Sequence, residues 1–106
     1  MTPWNIHPAA EDELEAAFEH YLSVDVELAH SFDEHYRRYR QQICESPLLF
    51  NLRRPPTRRA NLKPSFGEYY IAYMIWREKV VILAIAHAKR RPYYWRKRIN
   101  EAKQMF

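Results

Sequence analysis

Val80-Val81-Ile82-Leu83-Ala84-Ile85-Ala86 is the stretch that most restricts how this chain can fold. Seven apolar residues without a break have no polar face to turn to water. They are too few to span a bilayer as a helix, so they predict a strand buried on both faces. Residues 69–76 are rich in aromatic and branched side chains and predict a second strand. Arg77-Glu78-Lys79 between the two reads as a polar hairpin turn. A strand covered on both sides needs other elements to cover it, and the rest of the chain supplies them.

Upstream, Pro8 suits the first turn of a helix, where a missing N–H costs nothing. The acidic run from Glu11 to Glu15 complements the positive end of that helix's dipole. Leu14, Ala17, Phe18, Tyr21 and Leu22 follow helical spacing along one buried face, which places the helix from about residue 9 to about residue 22. Ser23 and Asp25 can each cap the next helix. Its stripe is Leu28, Phe32, Tyr36, Tyr39 and Ile43, and Pro47 stops it. Two amphipathic helices with so short a turn predict a helical hairpin. Trp4-Asn5-Ile6-His7 can form a short first strand, and residues 61–66 a further strand leading into Gly67, the only glycine. Arg53-Arg54-Pro55-Pro56 and Arg58-Arg59 read as a basic loop stiffened by proline. A terminal helix is expected from Pro92, with Trp95, Ile99, Ala102 and Phe106 on one face. The order is strand, two helices, three strands, helix. It predicts an α+β fold in one domain over residues 1–106, a length that fills one core but not two.

Charge is distributed unevenly. Residues 1–36 hold nine carboxylates and no Lys or Arg. All seventeen Lys and Arg follow, beside only four carboxylates, so residues 37–106 carry a formal charge of +13. Such a field suits an acidic partner, either nucleic acid or an acidic protein surface, although a solvated face is the ordinary use of a charge run. The single cysteine, Cys44, allows no disulfide within the chain, which favours the cytosol, and it reads as buried or semi-buried filler beside Ile43. Met1-Thr2-Pro3-Trp4-Asn5 has no basic signal-peptide region. A soluble cytoplasmic protein without a membrane partner is expected. His20, His30 and His35 are not related by helical spacing, so no metal site is expected, and no glycine-rich phosphate loop or cofactor motif is present.

Three stretches together resemble the RelE/ParE superfamily of toxins, and more closely its ParE-like branch. They are His7-Pro8-Ala9-Ala10-Glu11-Asp12-Glu13-Leu14-Glu15, then Tyr69-Tyr70-Ile71-Ala72-Tyr73, and above all residues 80–95, which end in His87-Ala88-Lys89-Arg90-Arg91-Pro92-Tyr93-Tyr94-Trp95. The resemblance implies a small twisted antiparallel sheet packed by the N-terminal hairpin. It also implies a cognate antitoxin with a partly disordered segment that wraps the toxin. ParE-like members of the family poison DNA gyrase, and RelE-like members cut messenger RNA on the ribosome.

For a ribonuclease of this kind the candidate cations are Lys63, Lys89, Arg90 and Arg91, with His87, Tyr93 and Tyr94 as proton carriers. The match to that branch is partial. Tyr70 stands where it has a catalytic arginine and Arg96 where it has a tyrosine, while Arg90 falls where its last-strand arginine is expected. Each candidate also has a structural reading. His87 can be a hydrogen-bonded strand-end residue, Lys89, Arg90 and Arg91 solvated charge, and Trp95 core rather than a stacking platform. Of the neighbours Tyr93 and Tyr94, one is expected to be exposed. The leading expectation is an inhibitor of gyrase rather than an enzyme. It would bind its target through His87, Lys89, Arg90, Arg91, Tyr93 and Tyr94 of the tail and Arg53, Arg54, Arg58 and Arg59 of the basic loop. The alternatives are a ribosome-dependent endonuclease acting on mRNA through Arg90 with Lys63, Lys89 or His87, and a degenerate antitoxin-binding module without toxicity. An apolar groove that the antitoxin fills would leave the isolated chain prone to form homo-oligomers.

Overall fold

In a computed structural model that describes residues 1–106, the element order is β1 (Trp4–Ile6), α1 (Pro8–Val24), α2 (Val26–Glu45), β2 (Thr57–Leu62), β3 (Phe66–Trp76), β4 (Lys79–His87) and α3 (Lys97–Met105). The strands form one sheet in the order β1-β4-β3-β2, which puts the apolar run of β4 inside it. The α+β architecture is the one expected. The β2, β3 and β4 pairings are antiparallel, but β1 runs parallel to β4, so the sheet is mixed. The chain leaves β1 into the helical hairpin and returns through β2 and β3 before β4 is laid beside it.

Asp25 is the whole connection between α1 and α2. Its N–H bonds the Tyr21 carbonyl at the end of α1, and its carboxylate accepts from the Glu27 N–H at the start of α2. Ser23 donates to the His20 carbonyl instead and caps nothing. His7 closes the short first strand by capping α1, its Nδ1 accepting from the Ala9 N–H at 3.0 Å. The hairpin packs on one sheet face through Ala10, Ala17, Tyr21, Phe32 and Ile43, against Ala60, Leu62, Phe66, Ile71, Tyr73, Val80, Ile82 and Ile85. Leu22 does not join them. It lies 43 % exposed near the interhelical turn, beside the still more exposed Val24 and Val26. Cys44 is buried in this core, as its neighbours suggested.

The opposite face carries a smaller core of Tyr70, Ala72, Met74, Val81, Leu83, Ala84 and Ala86, closed by Trp95 and Ala102. Strand alternation assigns residues to the two faces, with one interruption. Ala72 pairs with Ala84 and Tyr73 with Ile82, so Leu83 is an extra residue. This β-bulge turns Leu83 and Ala84 to the same side.

Three boundaries differ from the sequence reading. The further strand expected over residues 61–66 is β2 at Thr57–Leu62, and the chain turns at residues 63–65, where Pro64 offers no N–H to a ladder. Arg58 and Arg59 therefore belong to an edge strand rather than to a loop. Lys79 pairs with Trp76, which leaves a two-residue turn of Arg77 and Glu78, both at positive φ. The last helix begins at Lys97 instead of Pro92. Residues 88–96 form an irregular strap, with Tyr93 at φ 58°, a conformation that no helix continues through. No helix is long and apolar enough to cross a membrane.

Candidate anion-binding cleft

Strand pleating gives β2 two kinds of arginine. Arg58 shares the helix-side face with Ala60 and donates to the Phe50 carbonyl at 2.8 Å. Arg59 points to the other face, pairs across the ladder with Ala72, and lies over the ring of Tyr70 with its guanidinium carbon 3.8 Å from the centroid. Its Nε donates to Asn61 Oδ1 at 2.9 Å, which fixes the group over the ring. Tyr70 is fixed in turn, because its hydroxyl accepts from the Trp95 indole N–H at 3.2 Å and Trp95 is only 4 % exposed.

The loop before β2 is tied to the strand's outer edge. Arg53 N–H bonds the Thr57 carbonyl at 2.8 Å, Leu52 bridges Arg58, and Arg59 N–H reaches the Asn51 carbonyl at 3.3 Å. This loop brings Arg54 over Tyr93 of the strap, 4.5 Å from its centroid. Between loop, strand and strap lies a cleft of about 170 Å³ bordered by Arg53, Arg58, Arg59, Arg90, Tyr70 and Tyr93, with Trp95 beneath. The ion pairs of the molecule are His7–Glu101, Arg37–Asp33, Arg90–Glu13 and Arg98–Glu13. Arg53, Arg54, Arg58 and Arg59 thus have no carboxylate partner. Arg53 and Arg59 border the cleft without a carboxylate partner, Arg59 resting over the Tyr70 ring, and Arg54 lies beside it over Tyr93, an arrangement suited to receiving an anion.

The sequence of this cleft and its scaffold matches a known family. The model of the ParE toxin of type II toxin-antitoxin system, parDE, matches residues 5–92. The chain belongs to the ParE toxin family. A search of curated proteins finds no match. Membership makes the chain the toxin of a type II toxin–antitoxin system, with an antitoxin as its partner. The matched span of this ParE toxin runs from β1 to the start of the strap and includes the loop and both strands that build the cleft.

The cleft unites Arg53, Arg58 and Arg59 of the loop and strand with Arg90 and Tyr93 of the tail, and Arg54 lies beside it over the Tyr93 ring. Other expected site residues lie elsewhere. His87 pairs with Tyr69 on the helix-side face, and its Nδ1 accepts from the Lys89 N–H at 3.1 Å. Lys63 sits in the β2–β3 turn, while Lys89 and Arg91 are exposed and outside the cleft. Tyr93 and Tyr94 are both half-buried, so neither is the exposed one expected. Tyr94 turns to Glu13, donating to its Oε2 at 2.5 Å. Burial, then this bond and the Glu13 charge, push the Tyr94 phenol well above its ordinary range and keep its proton in place. Arg90 lies between the cleft and that carboxylate, 3.3 Å from Glu13 Oε2 and 3.7 Å over the Tyr94 ring.

Two residues that shape the site escaped the sequence reading. Glu13 looked like a dipole-complementing surface carboxylate, and Arg98 was not singled out. Arg98 binds Glu13 through both terminal nitrogens, at 2.7 and 3.1 Å, and also donates to the carbonyl of the bulge residue Leu83. Tyr70 was noted only for what it replaces, yet it forms the platform under Arg59. Its place in a strand facing away from the apolar set of Ile71 and Tyr73 is the one local sign of that role.

Proposed function

We propose that this ParE toxin arrests growth by binding and inhibiting DNA gyrase, without cutting RNA, and that its antitoxin holds it inactive. One observation carries the reading. The cleft gathers arginines and the phenols Tyr70 and Tyr93 but no histidine, lysine or carboxylate, so it can hold an anion while the imidazole and ammonium groups that a ribonuclease would pair with Arg90 lie outside it. The residues a ribonuclease would use are scattered over both sheet faces, and Tyr94 is already committed to Glu13. Gyrase is a cytoplasmic target, which would place the toxin there, acting as a single domain over residues 1–106.

The ribonuclease reading keeps one support, the exposed Arg90 at the cleft's rim with the Tyr93 phenol in the same cleft. Purified toxin, gyrase and programmed ribosomes separate the two. Loss of supercoiling with intact message is the expected result. Cut message with normal supercoiling would make Arg90 catalytic, and no effect in either assay would mark a module that binds antitoxin without toxicity.

A further inference from the structure

We infer that the arginine cleft is a phosphodiester clamp for duplex DNA, so that the toxin engages the DNA that gyrase holds as well as the enzyme itself. The consequence for gyrase rests on the reading above, but the clamp can be tested without gyrase.

The cleft withholds what other anionic partners would need. Single-stranded nucleic acid is held by bases stacked on open aromatic rings. Here the Tyr70 ring lies under Arg59, Tyr93 lies between Arg54 and Trp95, Tyr94 lies under Arg90, and Trp95 is buried. Every aromatic residue of the cleft and strap is thus engaged by a guanidinium or by another ring, which leaves charge as the means of recognition. An extended acidic peptide would seek a free strand edge for main-chain hydrogen bonds. The β2 edge beside the cleft is already paired by the loop through Leu52–Arg58 and Asn51–Arg59. A regular polyanion recognised through its backbone needs neither rings nor an edge. It needs cations without internal carboxylate partners; Arg53, Arg54 and Arg59 are such cations, and Arg54 and Arg59 are also held over aromatic rings. Arg59, fixed over Tyr70 by its bond to Asn61, has no hydrogen-bond partner on either terminal guanidinium nitrogen, which leaves both to bond phosphate oxygens in pairs. The surrounding +13 of residues 37–106 extends the attraction beyond the cleft.

The test is direct binding of a labelled mixed-sequence duplex two helical turns long, followed by fluorescence anisotropy across a salt series. Single-stranded RNA of the same sequence and polyglutamate serve as competing probes. The proteins are the intact toxin, the double variant Arg53→Gln with Arg59→Gln, and Arg38→Gln, which removes an exposed cation of α2 far from the cleft. Circular dichroism shows that each is folded, and Arg59→Lys gives a milder change that keeps the charge. The intact toxin and Arg38→Gln should bind duplex alike. The double variant should bind about tenfold to a hundredfold more weakly, and its dependence of log affinity on log salt should flatten by about 0.9 for each phosphate no longer neutralised. Arg59→Lys should fall between. Absent duplex binding, a double variant equal to the intact toxin, or tighter binding of RNA or polyglutamate would each overturn the inference. If duplex binding follows this pattern while supercoiling is untouched, the clamp stands and the gyrase reading falls.

Discussion

Glu13 accepts five hydrogen bonds from three separate stretches of chain: Ile85 N–H of β4, Arg90 and Tyr94 of the strap, and two from Arg98 of α3. The strand β1 covers β4 only as far as Ile82, so the remaining edge of β4 would otherwise meet solvent. Glu13 takes its N–H at Ile85, and Arg98 takes its carbonyl at Leu83. Both side chains are 15 % exposed, so removing the carboxylate leaves a guanidinium short of both its partner and its water. Glu13→Gln should therefore cost about 3 kcal/mol, read as a lower urea midpoint with unchanged slope. A loss below about 0.5 kcal/mol would show that Arg98 finds other partners. A local reading of the sequence sees Glu13 as one of several acids at a helix start. Its partners lie more than seventy residues away, beyond the reach of periodicity.

Tyr73 makes a second residue-scale prediction. It is fully buried, donates to the Pro47 carbonyl at 2.6 Å, and burial pushes its pKa up to about 12 from 10.0. The folded state therefore keeps the proton longer than the unfolded chain does. This contribution is complete below pH 10.0 and is lost between there and about 12. Through that window, stability should fall by about 1.4 kcal/mol per pH unit from this group. Denaturant midpoints measured as pH rises should drop less steeply in Tyr73→Phe, and equal slopes would contradict the assignment.

Among the elements, the two long helices and the β3–β4 hairpin were legible because each pairs a clear period with a clear stop. The hydrophobic stripe of α2 is present as read, and the apolar run is β4. The edge strand β2 was not legible. Its Arg58, Arg59 and Asn61 are half-exposed on an edge, and such a strand has the composition of a loop. The strap was read as helix because Trp95, Ile99, Ala102 and Phe106 keep helical spacing. Trp95 reaches the core from outside the helix, and the pattern cannot reveal that. The same limit hid the cleft, since Arg59 meets Tyr70 only once β2 pairs with β3, and Arg54 meets Tyr93 only once the strap folds beside the loop. The β3–β4 turn also departs from what its residues prefer. Arg77 and Glu78 have φ of 50° and 63°, a turn suited to Asn-Gly. Arg77→Asn combined with Glu78→Gly should raise stability by about 1 kcal/mol or more, a rise of roughly 4–8 °C in Tm. A lower Tm would mean that the Arg77 contact with Trp76 outweighs the relief of strain.

At the scale of the molecule, the sheet separates two chemistries. One face carries the hairpin, which supplies all nine carboxylates of residues 1–36. The other face and its edge carry the arginine cleft, with the strap and α3 closing the smaller core. Glu13 and Arg98 join these halves around the β4 edge, and His7 and Glu101 do so again at 2.9 Å. Under the proposed function the cleft acts by holding its target and not by chemistry. The most decisive experiment is growth after inducing this chain alone, with plasmid supercoiling and message integrity read from the same cells, beside the Arg53→Gln, Arg59→Gln double variant. A holding cleft predicts arrest with relaxed plasmid and intact message for the intact chain, and near-normal growth for the variant. Arrest with cut message, or an equally toxic variant, would contradict it.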